Sequence, residues 1–311
     1  MKIIVCVKQV PDTSGKVAVK EDGTMDRAAM ATISNPDDMN ALEAALQIKD
    51  QHPDVKVIVL SMGPAPTESM LRECLAMGAD EAVLISAREF GGADTYATSS
   101  TITAAIRKIG VEEGDIVFCG RQAIDGDTAQ VGPQIAEKLH LPQVTYAADI
   151  TKDGNTITVK RMLEDGYMTI KVKTPCLLTC IKELNEPRYM SIDGIYATYN
   201  KPLETFDYEK LKDHPLIDAT TIGLKGSPTN IFKSFTPPMP ERESPQWWSR
   251  ALTSVPSGWP GAGWTTSPLG LFTTITSLSS YTTSRGMSWG ATSTGSGSGR
   301  VTDTASPPPR R

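Results

Sequence analysis

A chain of 311 residues with 39% hydrophobic content and a formal net charge of −5 can bury a sizeable core in one large or two small domains. The acidic balance argues against an electrostatic nucleic-acid binder, and no run of about twenty apolar residues offers a membrane span. The five cysteines, odd in number and mostly inside apolar runs, read as buried reduced thiols of a cytoplasmic protein.

Met1-Lys-Ile-Ile-Val-Cys-Val7 is too short for a signal peptide and reads as a first strand. Further strand-like runs are Val55 to Ser61, Glu81 to Ser86 and Asp115 to Cys119, mostly rich in Val and Ile, as a sheet buried on both faces requires. Helical runs separate them. The first opens at Asn35-Pro36, an N-cap followed by proline at N1, and its apolar residues Leu42, Ala45, Leu46 and Ile48 share a stripe. A second, Glu68 to Met77, stops at Gly78, where a left-handed residue is expected, and a third spans about Thr95 to Ile109. Strands alternating with helices imply a parallel sheet with right-handed crossovers.

Beyond about Leu141 short extended runs alternate with the turn dipeptides Asp153-Gly154 and Asp165-Gly166, which reads as a meander of hairpins, followed by one more apolar run from Cys176 to Ile181. Cys176 and Cys180 have no histidine near them in sequence, so a metal site there is not expected. Glu183 to Ile195 has no clean period and reads as a surface loop. From about residue 239 the chain changes again. All five tryptophans lie beyond it, the last lysine is Lys233, and 26 of the final 71 residues are Ser or Thr. Such a tract cannot bury enough apolar surface to offset ordering entropy. Disorder, out-of-frame translation and a partner-docking tail all stay open for 239–311.

The most informative segment is Gly120-Arg-Gln-Ala-Ile-Asp-Gly-Asp-Thr-Ala-Gln-Val-Gly-Pro133, between the strand ending at Cys119 and the helical run Gln134 to Leu139. A polar, glycine-bearing loop at the carboxyl end of a strand presents backbone N–H groups and a helix N-terminus to an anion. It has neither the lysine of a Walker loop nor GxGxxG spacing. Read alone, Asp125-Gly-Asp127 is also ordinary turn chemistry, and Asn35-Pro36 an ordinary helix start.

Together with Lys8-Gln-Val-Pro-Asp-Thr13, Asn35-Pro36, Ser61-Met-Gly-Pro64, Leu75-Ala-Met-Gly-Ala-Asp80 and Leu184-Asn-Glu-Pro-Arg-Tyr189, the loop resembles the β subunit of electron-transfer flavoprotein from Met1 to about Pro238. The resemblance implies an α/β fold with a mostly parallel, open, Rossmann-like adenine-nucleotide-binding sheet and an antiparallel hairpin extension; the C-terminal tail, read as non-globular from its composition, does not resemble the family. It implies a nucleotide and partner-recognition domain over 1–200 and an extended segment, 201–238, contacting the α subunit. The nucleotide contacts carried over are Cys6, Asn35, Pro36, Asp37, Asp38, Met62, Gly120, Arg121, Gln122, Ala123, Ile124, Asp125, Gly126, Asp127, Thr128, Ala129, Gln130 and Val131. The two loop aspartates would repel a phosphate unless Arg121 compensates, or one faces a cation or caps the next helix.

The cofactor implied is FAD, or AMP in the same site, with NADH as a possible electron donor. The wording of Lys8 to Thr13, Asp125 to Gly132 and Gly226 to Pro238 is most similar to the bifurcating type of anaerobic bacteria. The partners implied are the α subunit and an acyl-CoA dehydrogenase, the latter met by Arg188, Tyr189, Met190, Ser191 and Ile192, with Ile192 where a leucine is familiar. No residue need be an acid, base or nucleophile. A nucleotide sensor of the universal-stress type is the alternative, although it leaves the hairpins and the partner-loop wording unexplained.

Overall fold

Seven parallel strands form the centre of the molecule, because the Val- and Ile-rich runs are apolar on both faces and can be satisfied only between two helical layers. The computed structural model describes residues 1–12, 31–218 and 220–228, all within one compact unit, Met1–Pro237. The tail at 239–311 lies outside the described residues, as do 229–238.

In chain order the elements are β1 (Lys2–Cys6), β2 (Gln9–Pro11), β3 (Thr32–Ser34), α1 (Pro36–Gln51), β4 (Lys56–Met62), α2 (Glu68–Met77), β5 (Glu81–Ile85), α3 (Thr95–Ile109) and β6 (Ile116–Gly120). They continue with α4 (Val131–Leu139), β7 (Gln143–Asp153), β8 (Thr156–Leu163), β9 (Gly166–Lys173), β10 (Cys176–Cys180), α5 (Ile192–Ala197), β11 (Leu203–Phe206) and α6 (Tyr208–Leu211). The main sheet has the order β11-β5-β4-β1-β6-β10-β7-β8-β9. From β11 to β7 every pairing is parallel, and β8 and β9 continue the sheet as the expected antiparallel hairpins.

Alternate residues of each strand face two separate cores. Ile3, Val5, Val57, Val59, Ile116 and Phe118 pack with Leu42, Leu46, Leu71 and Leu75 of α1 and α2. Ile4, Ile58, Leu60 and Val117 pack with Ile102, Ile106 and Ile135 of α3 and α4. The helices stop where predicted: Gly78 follows α2 at φ 135°, outside the range that a side chain tolerates well.

Two elements differ from the sequence reading, and a third, whose place the sequence left open, is located. The apolar run Cys176–Cys180 inserts between β6 and β7, and all five of its residues are buried. Helix α4 begins at Val131, three residues earlier than the apolar period suggests, because Pro133 falls in the first turn, where no N–H is needed. The segment read as a loop from Glu183 to Ile195 closes into α5 at Ile192.

The sequence of crossovers fixes where a crevice opens. From β1 the chain builds outward through β4 and β5, then returns past β1 to lay down β6 on its other side. The strand order therefore reverses between β1 and β6, and the connections leaving their carboxyl ends diverge there.

Candidate functional site

The crevice at the carboxyl ends of β1 and β6 is organised by one buried carboxylate. Asp38, in the first turn of α1, accepts a hydrogen bond from the N–H of Lys8 at 2.8 Å and another from the N–H of Gly120 at 2.9 Å. The two strands that flank the reversal are thus tied to one side chain. Burial pushes the Asp38 carboxyl up to about 7, against the hydrogen bonds from Asn35, Lys8 and Gly120, with Asp37 adding to the rise. Gly120 has to be glycine here, since a Cβ would collide with Asp38 Oδ1 and lie 2.7 Å from Asp38 N and 2.8 Å from Asp37 C.

Asn35 performs the second tie. It precedes α1 as the N-cap residue but makes no side-chain cap bond. Its amide reaches across to the loop after β6, donating from Nδ2 to the Gln122 carbonyl at 2.8 Å and accepting at Oδ1 from the Ile124 N–H at 3.0 Å. Both ends of a buried carboxamide are used, a geometry that only Asn satisfies at this length. The helix-start reading of Asn35-Pro36 holds for the backbone, with Pro36 at N1, but not for the side chain.

The loop carboxylates are each given a partner. Lys8 Nζ contacts Asp125 Oδ1 at 2.7 Å and Oδ2 at 2.9 Å, and Gln122 Nε2 donates to Asp127 Oδ1 at 2.7 Å. The predicted compensation by Arg121 is not what forms: Arg121 Nε lies 3.3 Å from Asp37 Oδ2. Neither atom is aligned for a hydrogen bond. Asp37 is itself pushed up by burial and by Glu183, with Arg121 opposing. Nor is an aspartate the cap of α4, whose N-cap is Gln130. Gln130 accepts from Thr95 Oγ1 at 2.9 Å, which fixes the loop to α3.

Between these ties the backbone is held open. Asp127 and Ala129 adopt φ of 49° and 52°, a left-handed conformation that costs about 1 kcal/mol for each non-glycine residue. Among the described residues, the N–H groups of Thr128, Ala129 and Gln130 have no partner within the chain. A row of unpaired donors leading into the first turn of α4 suits an oxyanion.

The predicted site residues therefore divide cleanly. Asn35 to Asp38 and Gly120 to Val131 meet, and Cys6 stands beside them as the last residue of β1. Met62 ends β4 one strand further along the same edge, packed on the same core as Cys6, and is not hydrogen-bonded to the loop. Ala123 accepts from the N–H groups of Gly126 and Asp127, making the loop's internal turn. Lys8 is the member that sequence reasoning missed: its motif was noticed, but a lysine 117 residues before its aspartate carries no local signal. The site is an open crevice; a partly open pocket of about 160 Å³ lies elsewhere, between α1 and β7 beside Ile48, Ile150 and Leu184. Among the described residues, no group of three or more His, Cys, Asp or Glu could hold a metal ion, and no helix is long and apolar enough to cross a membrane.

A second surface surrounds α5. Arg188 is drawn inward: its guanidinium contacts Glu43 at 2.8 and 3.0 Å and Asp50 at 2.6 Å, which leaves it committed to α1. Tyr189 and Ile192 are 95% and 74% exposed. Met190 and Ser191 are also exposed, and Ser191 caps α5 by accepting from the Gly194 N–H. Ile195, Tyr196 and Tyr199 join the exposed set. Ile192, Ile195, Tyr196 and Tyr199 follow the i, i+3, i+4, i+7 spacing of a helical stripe, a signal present in the sequence that the reading of a loop passed over. The stripe faces outward because Gly194 on the other side meets the Ala76 carbonyl, and Lys201 Nζ binds the Leu75 and Ala79 carbonyls at 2.8 and 2.7 Å.

Fold and crevice together define an open, doubly wound α/β protein with a crevice at its strand-order reversal, where sheets of this class bind ligands. A family model described as the electron transfer flavoprotein domain matches residues 22–211, well over half of the chain. The acryloyl-CoA reductase electron transfer subunit gamma of Anaerotignum propionicum is 67% identical over 239 residues, 76% of this chain and 89% of that protein. The caffeyl-CoA reductase-Etf complex subunit CarD of Acetobacterium woodii is 55% identical over 238 residues, 76% and 88% of the two chains. The electron transfer flavoprotein subunit beta of Clostridium acetobutylicum is 52% identical over 236 residues, again 76% and 88%. The chain belongs to the electron transfer flavoprotein family.

Asn35→Asp replaces the donor facing the Gln122 carbonyl with an acceptor. Hydrogen exchange at the Ile124 amide is expected to accelerate about tenfold, for a loss of about 1.4 kcal/mol in the tie. Unchanged exchange at Ile124 would show that Asn35 does not hold the loop.

Proposed function

We propose that this chain is the β subunit of an electron-transfer flavoprotein, holding the adenosine half of FAD in the crevice between β1 and β6 and pairing with a flavin-carrying α subunit. The observation that carries this reading is the row of unpaired N–H groups at Thr128, Ala129 and Gln130, kept open by Asn35, Asp38 and Lys8. These donors suit the phosphates of an adenine nucleotide, and pairing of Asp125 with Lys8 and of Asp127 with Gln122 lessens the carboxylates' repulsion of them. Asp127, which is exposed, retains acceptor capacity for a ribose hydroxyl. Cys6 and Met62 supply apolar wall along the sheet edge.

A flavin in such a site supplies one- and two-electron transfer, and the protein's part is binding, orientation and electrostatics. In this reading NADH is the donor, and bifurcation divides its electrons between two acceptors. AMP in the same cradle is the alternative, as a structural nucleotide. The similarity to subunits named for acryloyl-CoA and caffeyl-CoA reductases supports an acyl-CoA-linked redox partner, of which an acyl-CoA dehydrogenase is the specific proposal. The exposed stripe on α5 suits its docking, since a rigid apolar knob surrounded by tyrosines has the composition of an interface hot spot. Residues 201–238 are assigned to the α-subunit contact. The five free thiols accord with a cytoplasmic location.

Co-expression with the α subunit, followed by visible spectroscopy and nucleotide analysis, tests the cofactor. Two FAD per heterodimer is the expected result; one FAD with AMP would select the structural alternative, and no adenine nucleotide would overturn the site. For docking, Ile192→Ala is expected to lower the rate of electron transfer to the dehydrogenase about tenfold, a loss of about 1.4 kcal/mol, with nucleotide content unchanged. An unaltered rate would remove Ile192 from the interface.

A further inference from the structure

Two thiols face each other at the wall of the crevice. Strands β1 and β6 are parallel neighbours, and Cys6 is the register partner of Cys119. Ile4 with Cys6, and Val117 with Cys119, turn toward the same core, so the two sulfurs lie on one face of the sheet. Cys119 is buried, and Cys6, at the open end of its strand, is partly exposed. A Cβ built on Gly132 would stand 3.7 Å from Cys119 Sγ, which places that sulfur under the first turn of α4. The other three cysteines pack in the opposite core. Adjacent strands run about 4.8 Å apart, inside the ~4.4–6.8 Å Cα separation of disulfides.

We propose that Cys6 and Cys119 form a peroxide-sensitive dithiol whose closure to a disulfide opens the nucleotide crevice. Hydrogen peroxide, the product of reduced flavin and dioxygen, is the oxidant. Attack by the Cys6 sulfur breaks the peroxide O–O bond, giving a sulfenic acid at Cys6 and one water. The Cys119 sulfur then displaces hydroxide from that sulfenic acid, forming the S–S bond and a second water. Both electrons lost by the two sulfurs reduce the peroxide.

The order of events follows from the surroundings. Cys6 is the thiol that a solute can reach. Cys119 is held protonated, first by its hydrogen bond with Cys6 and then by burial, with Asp38 and Cys180 adding to the effect. It therefore acts second, on the sulfenic acid beside it.

Closure has a mechanical consequence. In-register Cβ atoms of neighbouring strands stand near the strand spacing, whereas a disulfide needs them about 3.8 Å apart, so one strand end must shift. Cys119 leads directly into Gly120, which has no free space against Asp38. A shift there disturbs the hydrogen bond between Gly120 N–H and Asp38, and with it the loop that follows. Strain of this kind also makes the bond easily reduced, as a reversible modification requires. The effect on nucleotide rests on the proposed function above; the thiol chemistry does not.

The test uses the full chain with its α subunit, stripped of nucleotide and treated with hydrogen peroxide. Peptide mapping is expected to show a Cys6–Cys119 cross-link lacking two hydrogens, reversed by dithiothreitol. In Cys119→Ala, dimedone is expected to trap the sulfenic acid at Cys6. AMP at about 100 times its dissociation constant should slow cross-linking about a hundredfold, because only the free site reacts. Accumulation of Cys6 sulfenic acid in the wild type, with the Cys119 thiol intact, would overturn the dithiol. Cross-linking that is equally fast with bound AMP, and that leaves AMP affinity unaltered, would overturn the coupling. Cross-linking in a protein that binds no adenine nucleotide would refute the nucleotide site while leaving the dithiol standing.

Discussion

The carboxylate of Asp38 is buried beneath the carboxyl edge of the sheet, where it accepts from the backbone of Lys8, just beyond β1, and of Gly120, at the end of β6. An isolated carboxylate in that position would be costly, and its raised pKa records the cost. Hydrogen bonds from Asn35 and two main-chain N–H groups compensate in part, and each removes freedom from a different segment. The rest of the crevice depends on this point: Gly120 can have no side chain, the loop must leave β6 in one direction, and Asn35 is brought within reach of Gln122 and Ile124.

The parallel sheet and its helices were legible because their causes are local. Apolar runs, the Asn-Pro helix start and Gly78 each act within a few residues. The place of β10 was not legible: a run of five buried residues fits any interior strand, and its neighbours are chosen by pairing far along the chain. The same limit explains the site. Glycine and polar residues after β6 marked the loop as a candidate ligand site, but the tie that neutralises Asp125 comes from Lys8, across 117 residues. The stripe on α5 was a different failure, since Ile192, Ile195, Tyr196 and Tyr199 carry the helical period, but on an outward face that core-seeking patterns do not register.

The α5 surface and the crevice lie at opposite ends of one mechanical chain. Arg188 fastens the approach to α5 onto Glu43 and Asp50 of α1, the helix whose first turn supplies Asp37 and Asp38. Helix α1 is therefore shared by the crevice and the exposed α5 surface, the proposed nucleotide and docking sites. Fixed geometry between the two is what an electron carrier needs, because its cofactor must be presented to a partner at short range rather than act on a substrate itself.

The most direct test of this account is calorimetric titration of AMP into the nucleotide-stripped heterodimer, comparing wild type with Gly120→Ala. A methyl group at that position separates Asp38 from the strand end without touching the predicted phosphate donors. The account predicts saturable binding by the wild type and binding about a hundredfold weaker, a loss of about 2.7 kcal/mol, in a variant that still assembles. Equal affinities in the two proteins would contradict it.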